Sequence, residues 1–390
     1  MITVTQARVL LLALTAPLGV EDVPLIRAAG RVLARPVTAR RNQPPFAASS
    51  MDGYAMKRAE VERHAMFKVI GEAAAGHSFN GTVGPGQAVR IFTGAPVPDG
   101  ADFVVIQEDI TRTGDLITIA NEPGEKDNIR AEGGDFSTGT TIAPPLSLRA
   151  EDIALMAAMN IPTVPVARKP IVALISTGDE LVMPGETPGP DQIIVSNTFG
   201  LKAMLETVGA DVRIMPIARD TVTSLKTAFE LASSADLIVT IGGASVGDHD
   251  LVAPVSAELG MERSFYKVAM RPGKPLMAGK LGRSAMVGLP GNPVSAMICA
   301  EIFIKPMIRA MMGQDTTQAD LMTAPLTAPL AANGPREHYM RAQLDRNGIA
   351  AFDNQDSAML SVLARADALL VRPANDPARA IGEPVAYLPL

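Results

Sequence analysis

The chain has 390 residues, 47% of them hydrophobic and 19% charged; this excludes a disordered polypeptide and, at such a length, calls for more than one core. Tryptophan is absent and aromatics make up 4%, so Leu, Ile, Val, Met and Ala must fill the cores, and the scarcity of aromatics argues against stacking platforms for single-stranded nucleic acid. The formal net charge of −6 argues against a nucleic-acid or anionic-membrane surface and confines any anion site to a local cluster.

At the N-terminus, "ARVLLLALTAPLGV" has the apolarity of a signal peptide, but Arg8 is its only upstream charge. Thr3 and Gln6 stand at the spacing of a capping box, which predicts a helix start. The first forty or so residues read as helix, a short link and then "DVPLIRAAGRVLA". From "NQPPF" to about Thr140 the texture becomes short β-prone runs broken by Gly and Pro, with Pro98-Asp99-Gly100 as a turn. Helical periodicity returns in "LRAEDIALMAAMNI". Neither flanking piece buries a core alone. The economical reading is a discontinuous helical domain (1–43 plus 141–168) with a small β domain inserted at 44–140, crossed at Pro44-Pro45 and Pro144-Pro145.

From Pro170 strands rich in Ile and Val alternate with helices: "IVALIS", "NTFGLKAMLETVG", "ADVRIMPIA", "DTVTSLKTAFELASS", "ADLIVTI", "DLVAPVSAELG", "RSFYKVAM", "SAMVGL" and a long final helix from "NPVSAM". Such alternation predicts a three-layer α/β/α domain over 169–312 with a mostly parallel sheet covered on both faces. β texture returns in a C-terminal β domain, 313–390. The apolar run of the final helix is interrupted by Glu301, Lys305 and Arg309, so it does not read as a membrane span. Cys299, the one cysteine, reads as a buried helix residue and permits no internal disulfide. A soluble, cytoplasmic protein is expected.

In an open parallel sheet the ligand crevice lies beyond the carboxyl ends of the strands. Those ends carry "STGDE" (Ser176, Thr177, Gly178, Asp179, Glu180), "ARD" (Arg219, Asp220), "GGASVGDHD" (Gly242, Gly243, Ser245, Asp248, His249, Asp250), "MRPGK" (Arg271, Lys274) and "LPGNP" (Pro290, Gly291, Asn292, Pro293). Each piece alone is also compatible with turn chemistry. "GNPVS" is a good helix start, with Asn292 as N-cap and Pro293 at the first helical position. His249 lacks the companions a metal set needs, and a solvated loop suits it better. Together, however, glycine backbone, Ser245, Arg271 and Lys274 suit oxyanions, while the acids suit a hard cation facing a phosphate. Metal-assisted chemistry on a phosphorylated ligand follows, with room for a second oxyanion. The insertion holds a further cluster around Asp52, Thr93 and Asp135, for which a turn at Asp52-Gly53 is a sufficient local explanation.

The motifs "MDGYA", "FTGAPVP", "STGDEL", "GGASVGD", "RPGKP" and "GLPGNPVSA", in that order, resemble the molybdopterin molybdenumtransferases, the MoeA and gephyrin E-domain family, over essentially the whole chain. The resemblance implies an elongated, four-domain subunit in a homodimer. Each active site would combine the α/β domain of one subunit with the β insertion of the other. It also implies the reaction: adenylylated molybdopterin and molybdate as substrates, Mg²⁺ (or Zn²⁺) as cofactor, cleavage of the phosphoanhydride and release of AMP. Carried over by motif, the catalytic set is Asp52, Thr93, Asp135, Glu180, Asp220, Asp250 and Lys267, with Glu180, Asp220 and Asp250 on the metal. Molybdopterin and its phosphate fall to Ser176, Thr177, Gly178, Gly242, Gly243, Ser245, Pro290, Gly291, Asn292 and Pro293, and molybdate to Ser245, Arg271, Lys274, Arg336 and Ser357. Transient contact with the adenylyltransferase and with molybdoenzyme chaperones is implied as well. Arg271 replaces the lysine usual in relatives, and Asp356 adds an acid directly before Ser357. Competing readings are a molybdopterin adenylyltransferase, a nucleotide-amide hydrolase and a scaffold of the same fold.

Overall fold

The computed structural model describes residues 1–243, 251–316 and 321–390. Two compact units result, one of residues 1–21 with 167–390 and one of residues 22–166. No described helix is long and apolar enough to cross a membrane.

The unit of 22–166 is built on a six-stranded sheet in the order Phe103–Ile106, Gly53–Met56, Gln87–Ile91, Met66–Ala73, Leu116–Ile119, Ile110–Thr113. Alternation along its strands gives two apolar faces. Tyr54, Met56, Phe67, Val105 and Ile117 pack on one, and Ala55, Ala73, Val89, Ile91 and Val104 on the other. Gly53 is the first residue of a strand rather than a turn residue. A Cβ there would stand 2.0 Å from the Val105 carbonyl oxygen, so the glycine permits a close cross-strand approach.

Within this unit the flanking segments expected to be helical contain one α-helix, Ala150–Ala158, together with the short strands Val32–Leu33 and Leu146–Ser147. These pair with Val20–Pro24 and Thr163–Ala167 in a four-stranded sheet. Pro24 and the left-handed Gly30 (φ 73°) end any helix in "DVPLIRAAGRVLA", leaving only one 3-10 turn, Leu25–Arg27.

In the other unit the N-terminal helix Val4–Ala13 starts with the expected capping box: Gln6 N–H donates to Thr3 Oγ1 at 3.1 Å and Thr3 N–H to Gln6 Oε1 at 3.0 Å. The central sheet runs through β1 (Ile171–Ser176), β2 (Asp211–Ile214), β3 (Leu237–Ile241), β4 (Glu262–Tyr266), β5 (Met277–Leu281) and β6 (Ser284–Leu289). Its spatial order is β2-β1-β3-β6-β5-β4. Parallel pairing joins β2, β1, β3 and β6; β5 and β4 continue antiparallel. Helices α1 (Asn197–Thr207), α2 (Val222–Ala232) and α3 (Val252–Glu258) follow the first three strands. Ala173, Ile175, Leu225, Phe229, Ile238, Val255 and Met286 form one core cluster.

Two features were not legible as strings. Strand β5, "MAGKL", is broken by Gly279, whose Cβ would stand 2.3 Å from the Glu262 carbonyl, where the β4–β5 register shifts. The long final helix is α4 (Pro293–Cys299), a π segment (Ala300–Ile304) and a last α segment (Lys305–Met311). Pro306 has no N–H for the preceding turn, which accounts for the change of winding. In the C-terminal sheet, Met270–Arg271 pairs in parallel with Glu337–Asp345, placing Arg271 opposite His338.

Candidate active site

Strand β1 has β2 on one side and β3 on the other, so the chain reverses its winding direction between β1 and β3. Beyond their carboxyl ends lies a cleft of about 770 Å³. Ser176, Thr177, Gly178, Glu180, Asp220, Gly242, Gly243, Pro290, Gly291, Asn292 and Pro293 all line it. The structure thus brings together every residue assigned from the first and last α/β motifs.

Backbone bonds hold this floor in place. Thr177 N–H donates to Ile241 O at 3.1 Å, Gly242 N–H to Leu289 O at 3.1 Å and Gly178 N–H to Ala218 O at 3.1 Å. Ser176 is 1% exposed, and its hydroxyl has no hydrogen-bond partner among the described residues. A buried hydroxyl at a strand end facing a cleft is a ligand donor in waiting. Gly178 (φ 145°) passes so close to Glu180 that a Cβ would lie 2.3 Å from its Oε2. Glycine here lets the Glu180 carboxylate fold over the loop.

Arg219 and Asp220 arrive from the β2–α2 loop. Arg219 Nη1 donates to the carbonyls of Asp179 at 2.9 Å and Leu181 at 3.2 Å. Asp220 N–H donates to Asp179 Oδ1 at 3.2 Å. Asn197, at the start of α1, donates its amide to Gly291 O at 2.8 Å. The sequence pattern assigns neither Asn197 nor Arg219 a role in the site. Both bonds link segments far apart in the chain, and no local pattern announces them.

The cations sit on an adjoining hairpin. Lys267 N–H donates to Leu276 O at 3.0 Å and Val268 N–H to Lys274 O at 3.1 Å, and Pro275 lines the cleft. Around His338 the structure gathers Arg271, Arg336, Arg341 and Arg372; burial and this positive field hold its pKa down to about 4. Ser357 of the C-terminal domain precedes Ala358, which lines the cleft. The Ser357 hydroxyl accepts from Asn292 Nδ2 at 2.9 Å, and its carbonyl accepts from Val294 N–H at 3.0 Å. Asn292 thus precedes α4 as expected, but its amide goes to Ser357 rather than capping the helix. Asp356, the added acid, turns into its own loop: its Oδ1 accepts from Ala358 N–H at 2.8 Å. Cys299 is buried, and burial pushes its thiol far above the ordinary range, in keeping with a packing residue.

Asp52, Thr93 and Asp135 belong to the unit of 22–166. The Thr93 N–H and hydroxyl both donate to Asp52 Oδ1, each at 2.8 Å. These bonds, with a smaller contribution from Arg90, lower the Asp52 pKa from its usual 3.8. Asp135 is exposed, and its N–H donates to Gln43 O at 2.9 Å. Ser245, Asp248, His249 and Asp250 lie outside the described residues.

Three family models match the chain: the MoeA N-terminal region (domains I and II) at residues 2–160, a probable molybdopterin binding domain at 173–310, and the MoeA C-terminal region (domain IV) at 323–390. A molybdopterin molybdenumtransferase of Nostoc sp. is 34% identical over 95% of this chain and 88% of its own length. One from Haemophilus influenzae is 36% identical over 80% and 78% respectively. The crystal structure of a molybdopterin biosynthesis MoeA protein from Pyrococcus horikosii superposes with a TM-score of 0.85 at 29% identity, covering 99% of this chain and 98% of that one. With the switch-point cleft in place and all three regions matched in order, the chain belongs to the molybdopterin molybdenumtransferase (MoeA) family.

Proposed function

We propose that the protein inserts molybdenum from molybdate into adenylylated molybdopterin, cleaving the phosphoanhydride and releasing AMP. The carrying observation is the cleft itself, where two carboxylates (Glu180, Asp220), a buried hydroxyl with no partner among the described residues (Ser176) and glycine backbone converge. A phosphate ester needs such donors, and cleavage of an anhydride needs charge neutralisation beside them.

The donor set suits magnesium. Glu180 and Asp220 line the cleft as hard oxygen donors, and no His or Cys lines it among the described residues, which disfavours zinc. Glu180 and Asp220 would hold the ion, which when bound neutralises charge on the phosphoryl oxygens. Ser176 and Thr177 would bind the phosphate on the molybdopterin side of the anhydride, and the backbone at Gly178 and Gly242 would admit it closely. Water attacks one phosphorus and the bridging oxygen leaves with the other phosphate, giving AMP and molybdopterin; the two dithiolene sulfurs then bond molybdenum as one Mo–O bond breaks, that oxide leaving as water with the two thiol protons. Asp52, kept ionised by Thr93, orients that water rather than storing a proton. Lys274, Arg271, Arg336 and Ser357 would supply donors for molybdate, a tetrahedral dianion. In a homodimer, Asp52, Thr93 and Asp135 would come from the partner copy. One buried cysteine suits a reducing compartment such as the cytoplasm.

The test is direct. Purified protein with Mg²⁺, molybdate and adenylylated molybdopterin should release AMP only when molybdate is present. Tight binding of the nucleotide with no AMP release would support the scaffold reading instead.

A further inference from the structure

Arg219 lies outside the residues assigned above, yet one of its nitrogens faces three carbonyls of a single loop. Nη1 stands 2.9 Å from Asp179 O, 3.2 Å from Leu181 O and 3.5 Å from Gly178 O. The remaining carbonyl of that loop, on Glu180, accepts from Ile193 N–H at 2.8 Å. All four carbonyls from Gly178 to Leu181 are therefore engaged. Arg219 is itself anchored from behind: its N–H donates to Ser224 Oγ at 2.9 Å, and its carbonyl accepts from Thr221 N–H at 2.7 Å. Asp220 N–H adds a second tie, to Asp179 Oδ1.

We propose that Arg219 is a positioning residue that fixes the separation of the Glu180 and Asp220 carboxylates and so sets the affinity of the cleft for a divalent cation. The inference rests on the reading that those two acids hold the ion. The bonds tie the loop after β1 directly to the loop after β2, and each loop carries one of the acids. Arg219 is exposed and buries no core surface, so the sheet beneath does not depend on it.

Geometry and charge make opposite predictions. A guanidinium bonded to the loop that carries Glu180 repels a dication bound there, so if charge alone mattered, its removal would tighten binding. If Arg219 positions the acids, its removal weakens binding despite the lost repulsion. Groups that orient metal ligands in this way are typically worth about ten- to a hundredfold in affinity.

The experiment is Mn²⁺ titration of the full-length protein, followed by electron paramagnetic resonance, for wild type, Glu180→Gln, Arg219→Gln and Arg219→Lys, with a melting curve for each. Wild type should bind, Glu180→Gln should lose binding, and Arg219→Gln should bind roughly tenfold more weakly with its melting temperature little changed. Arg219→Lys should recover part of the loss, because one ammonium can reach some of the carbonyls that Nη1 serves. Equal or tighter binding by Arg219→Gln, with Glu180→Gln impaired, overturns the positioning role alone. Absence of Mn²⁺ binding by wild type, or undiminished binding by Glu180→Gln, overturns the cation reading and this inference with it.

Discussion

The side-chain amide of Asn292 donates to the hydroxyl of Ser357 at 2.9 Å, joining the loop that opens α4 to a loop of the C-terminal domain. The C-terminal domain therefore contributes directly to the wall of the cleft. Ser357→Ala leaves Asn292 without this acceptor at an exposed position, so the stability loss should be about 1 kcal/mol or less. On the proposed function, the KM for molybdate should rise several-fold while kcat at saturation changes little. Steady-state rates across a molybdate series separate the two, and an unchanged KM would remove Ser357 from the oxyanion site.

Gly178→Ala should damage turnover more than folding. The added Cβ meets the Glu180 carboxylate, the end of a flexible side chain, and the φ of 145° adds strain on the order of 1–3 kcal/mol. Glu180 must swing away to make room. AMP release should fall at least tenfold while the protein still melts cooperatively. Near-wild-type turnover would show that Glu180 acts from another orientation.

His338 gives a pH signature. Its folded pKa, about 4, lies below its usual 6.5, so between these values the unfolded chain binds a proton that the folded chain does not. Stability is therefore full above pH 6.5 and declines as pH falls towards 4, by up to about 3 kcal/mol. His338→Gln should flatten the pH dependence of unfolding in this window, measured by denaturant titration. An unaltered slope would show that other groups account for it.

How much of this was legible beforehand depends on range in sequence. Period and composition were enough for β1, β3 and α2, because a buried strand and an amphipathic helix advertise themselves locally. Clustering polar residues at strand ends sufficed to find the cleft, since the parallel sheet forces those ends to one side. The segments around Leu33 and Leu146 misled because their strands are two residues long and exist only by pairing with segments far away in the chain. Arg219 and Asn197 were missed as site residues for the same reason: each acts on a carbonyl many residues away. Asp356 adds an acid beside Ser357 in sequence, but its carboxylate is bonded within its own turn, a detail that composition does not carry.

The Thr93–Asp52 pair predicts a shift in acid behaviour. Thr93→Val removes the hydroxyl donor but keeps the backbone one, so the Asp52 pKa should rise part of the way to its usual 3.8. Because that pKa is depressed in the fold, any stabilisation from these bonds is present above the unfolded value and lost as pH falls through the folded one. The readout is the Asp52 carboxyl carbon shift in an NMR titration. An unmoved midpoint would assign the whole effect to the Thr93 N–H.

The composite homodimer makes the sharpest prediction. If each site joins Glu180 of one copy to Asp52 of the other, Glu180→Ala and Asp52→Ala are each inactive as homodimers. In a heterodimer of the two variants, one site receives both lesions and the other receives neither. Equal mixing after unfolding and refolding makes half the dimers mixed, so roughly a quarter of wild-type AMP release should return. Were both residues to act within one chain, every site in the mixture would carry one lesion and nothing would return. The experiment needs only two variants, a control in which each is refolded alone, and a molybdate-dependent AMP assay. Recovery would tie the insertion of one subunit to the α/β cleft of its partner, whereas its absence would place Asp52 and Glu180 of a single chain in the same site.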